Sequence, residues 1–151
     1  MRLVIDGDGS PVKTATIEVA EQFRLEVVIV TSIDHYSKKE YPAFVKFVYV
    51  DPGFDSADYK IVSLIKPTDI LITQDYGLAS LTLKKAAHVL HQSGLEYTPL
   101  NIEPLLDQRY FSSKMRQAKQ KTKGPKPYTE ADREHFKAVL TNLVEKSLAD
   151  R

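Results

Sequence analysis

The first half of the chain contains four short and almost entirely apolar segments. They alternate with stretches in which the apolar residues have the spacing of a helix. The four are Leu3–Ile5, Val27–Val30, Phe44–Val50 and Asp69–Thr73. Strands that are apolar along their length are typical of a parallel sheet covered on both faces. The pattern therefore predicts an α/β fold in which a parallel sheet lies between two layers of helices.

The order of the strands decides which strand ends lie side by side in an open α/β sheet. Ligands bind at the carboxyl ends of the strands, where the strand order reverses, and the first strand usually lies beside that point. Val89 and Leu90 provide a short fifth strand. We therefore expect a three-layer parallel sheet with the order 3-2-1-4-5, in which strands 1 and 4 are neighbours.

The chain after residue 100 has a different, helical character. Asn101 can cap one helix, and Thr129 can cap a second, with Asp132 three residues further as its capping-box partner. A length of 151 residues suits one compact domain. We expect a single domain over residues 1–151, with an α/β core in 1–100 and two C-terminal helices in 101–151 packed on it.

Aspartates mark the ends of the predicted strands. Asp6 and Asp8 follow the first strand, Asp75 lies just past the fourth, and Asp55 and Asp58 stand where the helix after the third strand begins. Neighbouring strands are about 4.8 Å apart, and carboxylates that close repel each other unless a cation binds or one is protonated. The sequence therefore predicts an acidic site for Mg²⁺ or Mn²⁺, and with it phosphoryl chemistry.

These aspartates also have structural interpretations. Asp55 and Asp58 are favoured residues at a helix N-terminus, and Asp75 could cap the helix at Leu78. The pair Asp6 and Asp8 is harder to explain as a cap, since Ser10 followed by Pro11 is expected to begin the first helix. The free N–H groups of that helix start would suit a phosphate at Ser10. Three other aspartates are interpreted as loop or strand-edge residues: Asp34, Asp51 and Asp69.

Basic residues are concentrated between Ser113 and Lys126, where no acidic residue occurs. Tyr110, Phe111 and Tyr128 flank this stretch, which also contains glycine and proline. A solvated surface is the ordinary interpretation of such a run. Its mixture of positive charge and aromatic residues also predicts contact with a nucleic-acid backbone, through Arg116, Lys119, Lys121, Lys123 and Lys126.

The composition excludes several classes of protein. The chain has no cysteine, so disulfide-linked partners, thiolate zinc sites and a cysteine nucleophile are excluded. The apolar segment at the N-terminus is too short for a signal peptide, and no apolar run is long enough to span a membrane. We expect a cytoplasmic protein without a membrane segment.

Several stretches along nearly the whole chain resemble the YaiI/YqxD family of bacterial proteins. The family usually carries alanine and cysteine where Gly9 and Ser10 stand, which argues against a required thiol and leaves the carboxylates intact. The stretches that carry the resemblance are Asp6–Val12, Gly53–Asp58, Asp69–Ala79, Tyr97-Thr98 with Asn101-Ile102, and Gly124–Pro127 followed by Asp132-Arg133 and Phe136.

The family is similar to PIN-type domains, a nuclease fold whose clustered acidic residues bind Mg²⁺ or Mn²⁺. That resemblance implies that Asp6 and Asp75 are metal ligands, Asp8 a ligand or a supporting group, and Asp55 or Asp58 the third acidic corner. The expected function is metal-dependent hydrolysis of phosphodiester bonds in RNA or single-stranded nucleic acid.

Two other functions remain open from the sequence. A haloacid-dehalogenase-like phosphatase also ends its first strand with Asp-x-Asp; Asp6 would then be the nucleophile, Asp8 the acid/base and Thr73 the strand-end hydroxyl. The chain lacks a later Asp-Asp pair and a cap module, which speaks against it. The other alternative is a non-catalytic PIN-like module that binds RNA or a protein.

Overall fold

A computed structural model describes residues 1–53, 56–108 and 127–150 of the chain. Its sheet has six strands, in the order β3-β2-β1-β4-β5-β6. The strands are β1 (Arg2–Asp6), β2 (Glu26–Ser32), β3 (Val45–Val50), β4 (Ile70–Ile72), β5 (His88–Leu90) and β6 (Glu96–Tyr97). β1 to β5 are parallel, as predicted, and their order agrees with the prediction. The predicted order lacked β6, a two-residue strand that pairs antiparallel to β5.

Helices cover both faces of the sheet. They are α1 (Lys13–Phe23), α2 (Ser56–Leu64), α3 (Tyr76–Thr82), α4 (102–108) and α5 (Glu130–Ala149). The capping box predicted at α5 is present, since Thr129 and Asp132 exchange side-chain to backbone hydrogen bonds. Within the described ranges, no helix combines the length and the apolar character needed to cross a bilayer.

The core consists of two clusters, one on each face of the sheet. Successive residues of β1 alternate between them: Leu3 and Ile5 join the cluster that contains α1 and α5, whereas Val4 joins the opposite one. α2, α3 and α4 contribute to that second cluster through Ile61, Leu78 and Ile102 respectively. Strands buried on both faces explain why their sequences are continuously apolar.

The start of α1 differs from the prediction. Its N-cap is Val12, without a side-chain cap, and Ser10 lies in the preceding turn, where its Oγ accepts a bond of 3.4 Å from the Val12 amide. Gly9 adopts φ +72°, a left-handed conformation that favours glycine. Because the chain reverses at Gly9, helical geometry begins only at Lys13, and the N–H groups expected at Ser10 belong to a turn.

Asp69 lies at the end of the sheet opposite the carboxyl ends of the strands and is fully buried. Its carboxylate accepts bonds from Nε of Arg2 at 3.1 Å, from Nη2 of Arg2 at 2.7 Å and from the Lys66 amide at 2.8 Å. These contacts make Asp69 a structural residue that ties β1 to the turn before β4.

Candidate active site: an acidic cleft

A cleft of about 450 Å³ opens at the carboxyl ends of β1 to β4. Six of the described residues that line it are aspartates, and none of them is lysine or arginine. The lining consists of Asp6, Asp8, Ser32, Asp34, Val50, Asp51, Pro52, Gly53, Ser56, Ala57, Asp58, Gln74 and Asp75. Reversal of the strand order at β1 creates this opening, because the chain leaves β1 toward β2 on one side and enters β4 on the other.

Asp6 is the last residue of β1 and is partly buried at the floor of the cleft. Its Oδ2 accepts a hydrogen bond of 2.8 Å from the Thr73 hydroxyl. Burial raises the pKa of Asp6 to about 6; the bond from Thr73 opposes this rise, and the charges of Asp75 and Asp8 add to it. Asp6 therefore releases its proton close to neutral pH rather than near pH 4.

Asp8 is held by the end of β2. Its Oδ1 accepts bonds from the Thr31 hydroxyl at 2.5 Å and from the Ser32 amide at 3.0 Å, and Nε2 of His35 lies 3.7 Å away. Burial alone would raise the pKa of Asp8, but the bonds from Thr31 and Ser32, with His35, hold it below its ordinary value. Asp8 is consequently an ionised, fixed acceptor at neutral pH.

Asp75 has the capping role that the sequence allowed and also lines the cleft. Its Oδ1 accepts bonds from the amides of Gly77 at 2.8 Å and Leu78 at 3.2 Å, so it caps α3. Its own amide donates to the Thr73 hydroxyl at 3.0 Å. Thr73, which is buried, thus connects Asp75 to Asp6 through one hydroxyl group.

Three further aspartates complete the described wall of the cleft. Asp58 lies in the first turn of α2, in agreement with the prediction. Asp34 and Asp51, interpreted from the sequence as loop or strand-edge residues, also line the cleft, so that interpretation missed them. Asp51 directly follows β3 as Asp6 ends β1, and this position at a strand end was the signal that could have identified it.

The remaining predicted site residues are not part of the described wall. Asp55 lies outside the described residues, as do all five basic residues predicted to bind nucleic acid: Arg116, Lys119, Lys121, Lys123 and Lys126. Ser10 is described, and the lining of the cleft does not include it.

The donor chemistry of the cleft fits a hydrated divalent cation better than a closed metal cage. Within residues 1–53, 56–108 and 127–150, no three carboxylate or histidine side chains are close enough together to hold a metal ion. Mg²⁺, however, keeps several of its waters and is commonly bound by one or two carboxylates together with substrate phosphates. Neighbouring aspartates such as Asp6 and Asp75 can supply ligands of that kind.

Replacing Thr73 tests the connection between Asp6 and Asp75. We expect Thr73→Val to raise the pKa of Asp6 further, because the only side-chain bond that lowers it is removed. A destabilisation of about 1 to 2 kcal/mol should accompany the change, since two polar contacts are lost. NMR titration of the Asp6 carboxyl carbon and urea unfolding measure both effects. Thr73→Ser retains the hydroxyl and should behave like wild type; an unchanged Asp6 pKa in Thr73→Val would contradict the assigned bond.

Comparisons with known proteins identify relatives along almost the whole chain. A family model described as "Uncharacterized BCR, YaiI/YqxD family" matches residues 4–146. A UPF0178 protein of Enterococcus faecalis is 61% identical over 148 residues, covering 98% of this chain and all of the relative. UPF0178 proteins of Bacillus cereus and Bacillus anthracis are 46% identical over 144 residues, covering 95% of this chain and 99% of each relative. No solved structure matches the chain significantly.

Proposed function

The chain belongs to the YaiI/YqxD family, and we propose that it is a cytoplasmic, PIN-like, metal-dependent nuclease that hydrolyses phosphodiester bonds of RNA or single-stranded nucleic acid in the acidic cleft. The observation that carries the proposal is the convergence of six aspartates on one cleft at the carboxyl ends of the strands. Cofactors of this reaction would be Mg²⁺ or Mn²⁺.

The charge of the cleft supports the need for a cation. A phosphodiester is an anion, and each pair of like charges about 4 Å apart repels by about 4 kcal/mol at an effective dielectric constant of 20. The described lining contains six carboxylates and no lysine or arginine. A polyanion would thus be repelled from this surface unless divalent cations neutralised it.

The proposed roles follow from the hydrogen bonds of each aspartate. Asp6 and Asp75, connected by Thr73, would hold the cation, together with Asp8 or Asp58 from the walls. A bound cation would supply polarisation of the phosphate and a lowered pKa of an attacking water. Asp8, kept ionised by Thr31 and Ser32, would accept a hydrogen bond from that water and orient it. Asp55 is proposed as a further ligand.

The basic residues predicted from the sequence have a separate role in this proposal. Arg116, Lys119, Lys121, Lys123 and Lys126 would contact backbone phosphates of the substrate other than the scissile one. In this proposal the carboxylates and their bound metal ion act on the scissile phosphate, and the lysine and arginine side chains contact the neighbouring phosphates.

One observation favours a phosphatase as the second candidate function. Thr73, at the end of β4, lies within hydrogen-bond distance of Asp6, so an Asp-x-Asp pair and a strand-end hydroxyl occur together. In a phosphatase Asp6 would attack phosphorus and form an aspartyl-phosphate while the P–O bond to the alcohol breaks, and Asp8 would have to protonate that alcohol and later deprotonate the hydrolytic water. The hydrogen bonds that hold the pKa of Asp8 low disfavour the protonated form that the first of these steps requires. This reaction has a covalent intermediate, which hydrolysis by an activated water lacks.

The direct test is cleavage of short end-labelled strands by the wild-type protein. We expect single-stranded RNA or DNA to be cut in Mn²⁺ or Mg²⁺ and to stay intact in EDTA. Absence of product with every strand and cation, in protein shown to be folded, would contradict the proposed hydrolase. Hydrolysis of p-nitrophenyl phosphate, with beryllofluoride trapped on Asp6, would instead support the phosphatase. Salt-dependent RNA binding without turnover would support a non-catalytic module.

A further inference from the structure

Four aromatic side chains form a continuous row beside the acidic cleft. Tyr36 and Tyr49 have ring centroids 5.5 Å apart, Tyr49 and Phe47 stack 5.6 Å apart with an angle of 10° between their planes, and Phe47 meets Tyr41 edge to face at 4.8 Å. We refer to these four residues as the aromatic row.

The aromatic row is accessible because none of its four side chains is fully buried on the face of the sheet that carries α1 and α5. Phe47 and Tyr41 pack partly against the cluster formed by α1 and α5, while Tyr49 and Tyr36 extend the row beyond that cluster. Tyr36 is 60% exposed, and Tyr49 is partly exposed. The row therefore has one end anchored in the core and one end open to solvent.

The open end of the row approaches the cleft near Asp8, through residues that contact the Asp8 carboxylate. Tyr49 lies opposite Thr31 in the register of β3 and β2, and the Thr31 hydroxyl donates to Asp8. Tyr36 directly follows His35, whose Nε2 lies 3.7 Å from the Asp8 carboxylate. Tyr49 and Tyr36 thus neighbour two residues, Thr31 and His35, that contact Asp8 of the cleft lining, and a strand lying on the aromatic row would approach the acidic cleft at Asp8.

Two lysines and one glutamate, Glu40, accompany the row, so the segment beside it has a net positive charge, in contrast to the cleft. Lys38 and Lys39 are exposed on the segment between Tyr36 and Tyr41, and the Lys39 ammonium lies 5.4 Å from the centroid of the Tyr41 ring. Aromatic faces together with nearby lysines favour single strands, because the faces of bases in a duplex are covered by the neighbouring base pairs and are not free to stack on a side chain.

We propose that the aromatic row and its two lysines form a binding platform for single-stranded nucleic acid, on which bases stack while Lys38 and Lys39 contact backbone phosphates. This proposal specifies the substrate class of the acidic cleft and the surface along which the substrate approaches it, and in that respect it rests on the proposed function. A second copy of the chain or another protein is the competing occupant of an aromatic surface on an edge strand.

The test is fluorescence anisotropy with a labelled single strand and with the same strand annealed to its complement, in EDTA and in Ca²⁺. Wild type should bind the single strand more tightly than the duplex. Tyr36→Ala and Tyr49→Ala should each weaken binding about tenfold, because each removes a stacking surface, whereas Tyr36→Phe should bind like wild type. Lys38→Ala should lower the salt dependence of binding by about one phosphate contact. Tyr59→Ala is the matched control, since Tyr59 is 77% exposed on α2 and outside the aromatic row.

Each outcome of this experiment decides the proposal. The platform would be overturned by equal binding of single strand and duplex, by no binding of either, or by wild-type affinity in Tyr36→Ala and Tyr49→Ala. It would also be overturned if the aromatic row bound a protein in place of the strand. Stacking-dependent binding without cleavage in any cation would support the platform and contradict the proposed hydrolase. Cleavage that is unaffected by Tyr36→Ala and by Tyr49→Ala would support the proposed hydrolase and contradict the platform. Circular dichroism of the variants, with Tyr49→Phe as a second substitution, separates lost binding from lost folding.

Discussion

Asp6→Asn is expected to stabilise the cation-free protein at neutral pH while it removes cleavage. Asp6 has a pKa of about 6 in the folded chain, against an ordinary value of 3.8, because burial disfavours its charge. The folded state thus binds this proton more tightly than the unfolded state, and stability falls as the pH rises from about 4 to about 6. The difference corresponds to at most about 3 kcal/mol above pH 6, a penalty that asparagine does not have.

Urea unfolding in EDTA across this pH range and on both sides of it measures the effect. The gain in Asp6→Asn should be present at neutral pH and disappear about one pH unit below the ordinary pKa of 3.8, where wild-type Asp6 is protonated in both states. Asp150→Asn is a matched control, because Asp150, which directly follows α5, is exposed and outside the lining of the cleft. A variant that is less stable than wild type at neutral pH would contradict the burial of an uncompensated charge at Asp6.

The same substitution should lower the rate of cleavage by at least about 100-fold, since it removes a carboxylate from the centre of the site. Addition of Mg²⁺ should stabilise wild type and leave Asp6→Asn nearly unchanged, because binding to the folded state alone shifts the unfolding equilibrium. Higher stability together with lost activity would distinguish a functional carboxylate from a structural one such as Asp69, whose loss should only destabilise the fold.

Gly7→Ala is the second substitution with a large expected effect. A Cβ at residue 7 would lie 2.8 Å from Cγ2 of Ile29 and 3.0 Å from the carbonyl oxygen of Val30, the atom that accepts the Gly7 amide at 2.8 Å. β1 and β2 must separate to admit the methyl group, so we expect a destabilisation of about 2 to 3 kcal/mol. Cleavage should fall as well, because Asp6 and Asp8 flank the displaced residue.

Gly53→Ala provides the control for Gly7→Ala, because it also adds one methyl group to a glycine. Gly53 lies in the lining of the acidic cleft, and Gly7 lies between two aspartates of that lining. Among the described residues, the Cβ of Gly53→Ala would meet the Ser56 hydroxyl, at 3.1 Å, and that side chain can rotate away. Urea unfolding should show a change of no more than about 1 kcal/mol for Gly53→Ala. Equal effects of the two substitutions would contradict close packing of β1 against β2 at Gly7.

Much of the fold could be predicted because burial on both faces makes the strands continuously apolar. The strands β1 to β5 followed from that pattern, and the order 3-2-1-4-5, expected for an open sheet that reverses beside β1, agrees with the structure. β6 could not be predicted in this way, because Glu96 and Tyr97 form no apolar run and pair only through tertiary contact with β5. The start of α1 was misplaced because Ser10 and Pro11 carry a capping signal that the left-handed turn at Gly9 overrides.

The candidate site was predicted as far as strand ends could be located. Asp6, Asp8, Asp58 and Asp75 line the cleft as expected. Asp34 was missed because it belongs to a 3₁₀ turn after β2, whose position depends on the path of a polar loop rather than on a strand. The burial that raises the pKa of Asp6 and the hydrogen bonds that lower the pKa of Asp8 depend on residues far apart in the sequence, and a periodic pattern does not encode them.

Anomalous diffraction from crystals of the wild-type protein grown with Mn²⁺ tests the central claim most directly. We predict a manganese peak in the acidic cleft, within coordination distance of a carboxylate oxygen of Asp6 or Asp75, and its loss in Asp6→Asn crystals grown in the same way. Two results would contradict the account. One is a wild-type cleft that holds no manganese, whether or not the Mn²⁺ concentration in the crystal supports cleavage in solution. The other is a manganese peak that persists unchanged in Asp6→Asn.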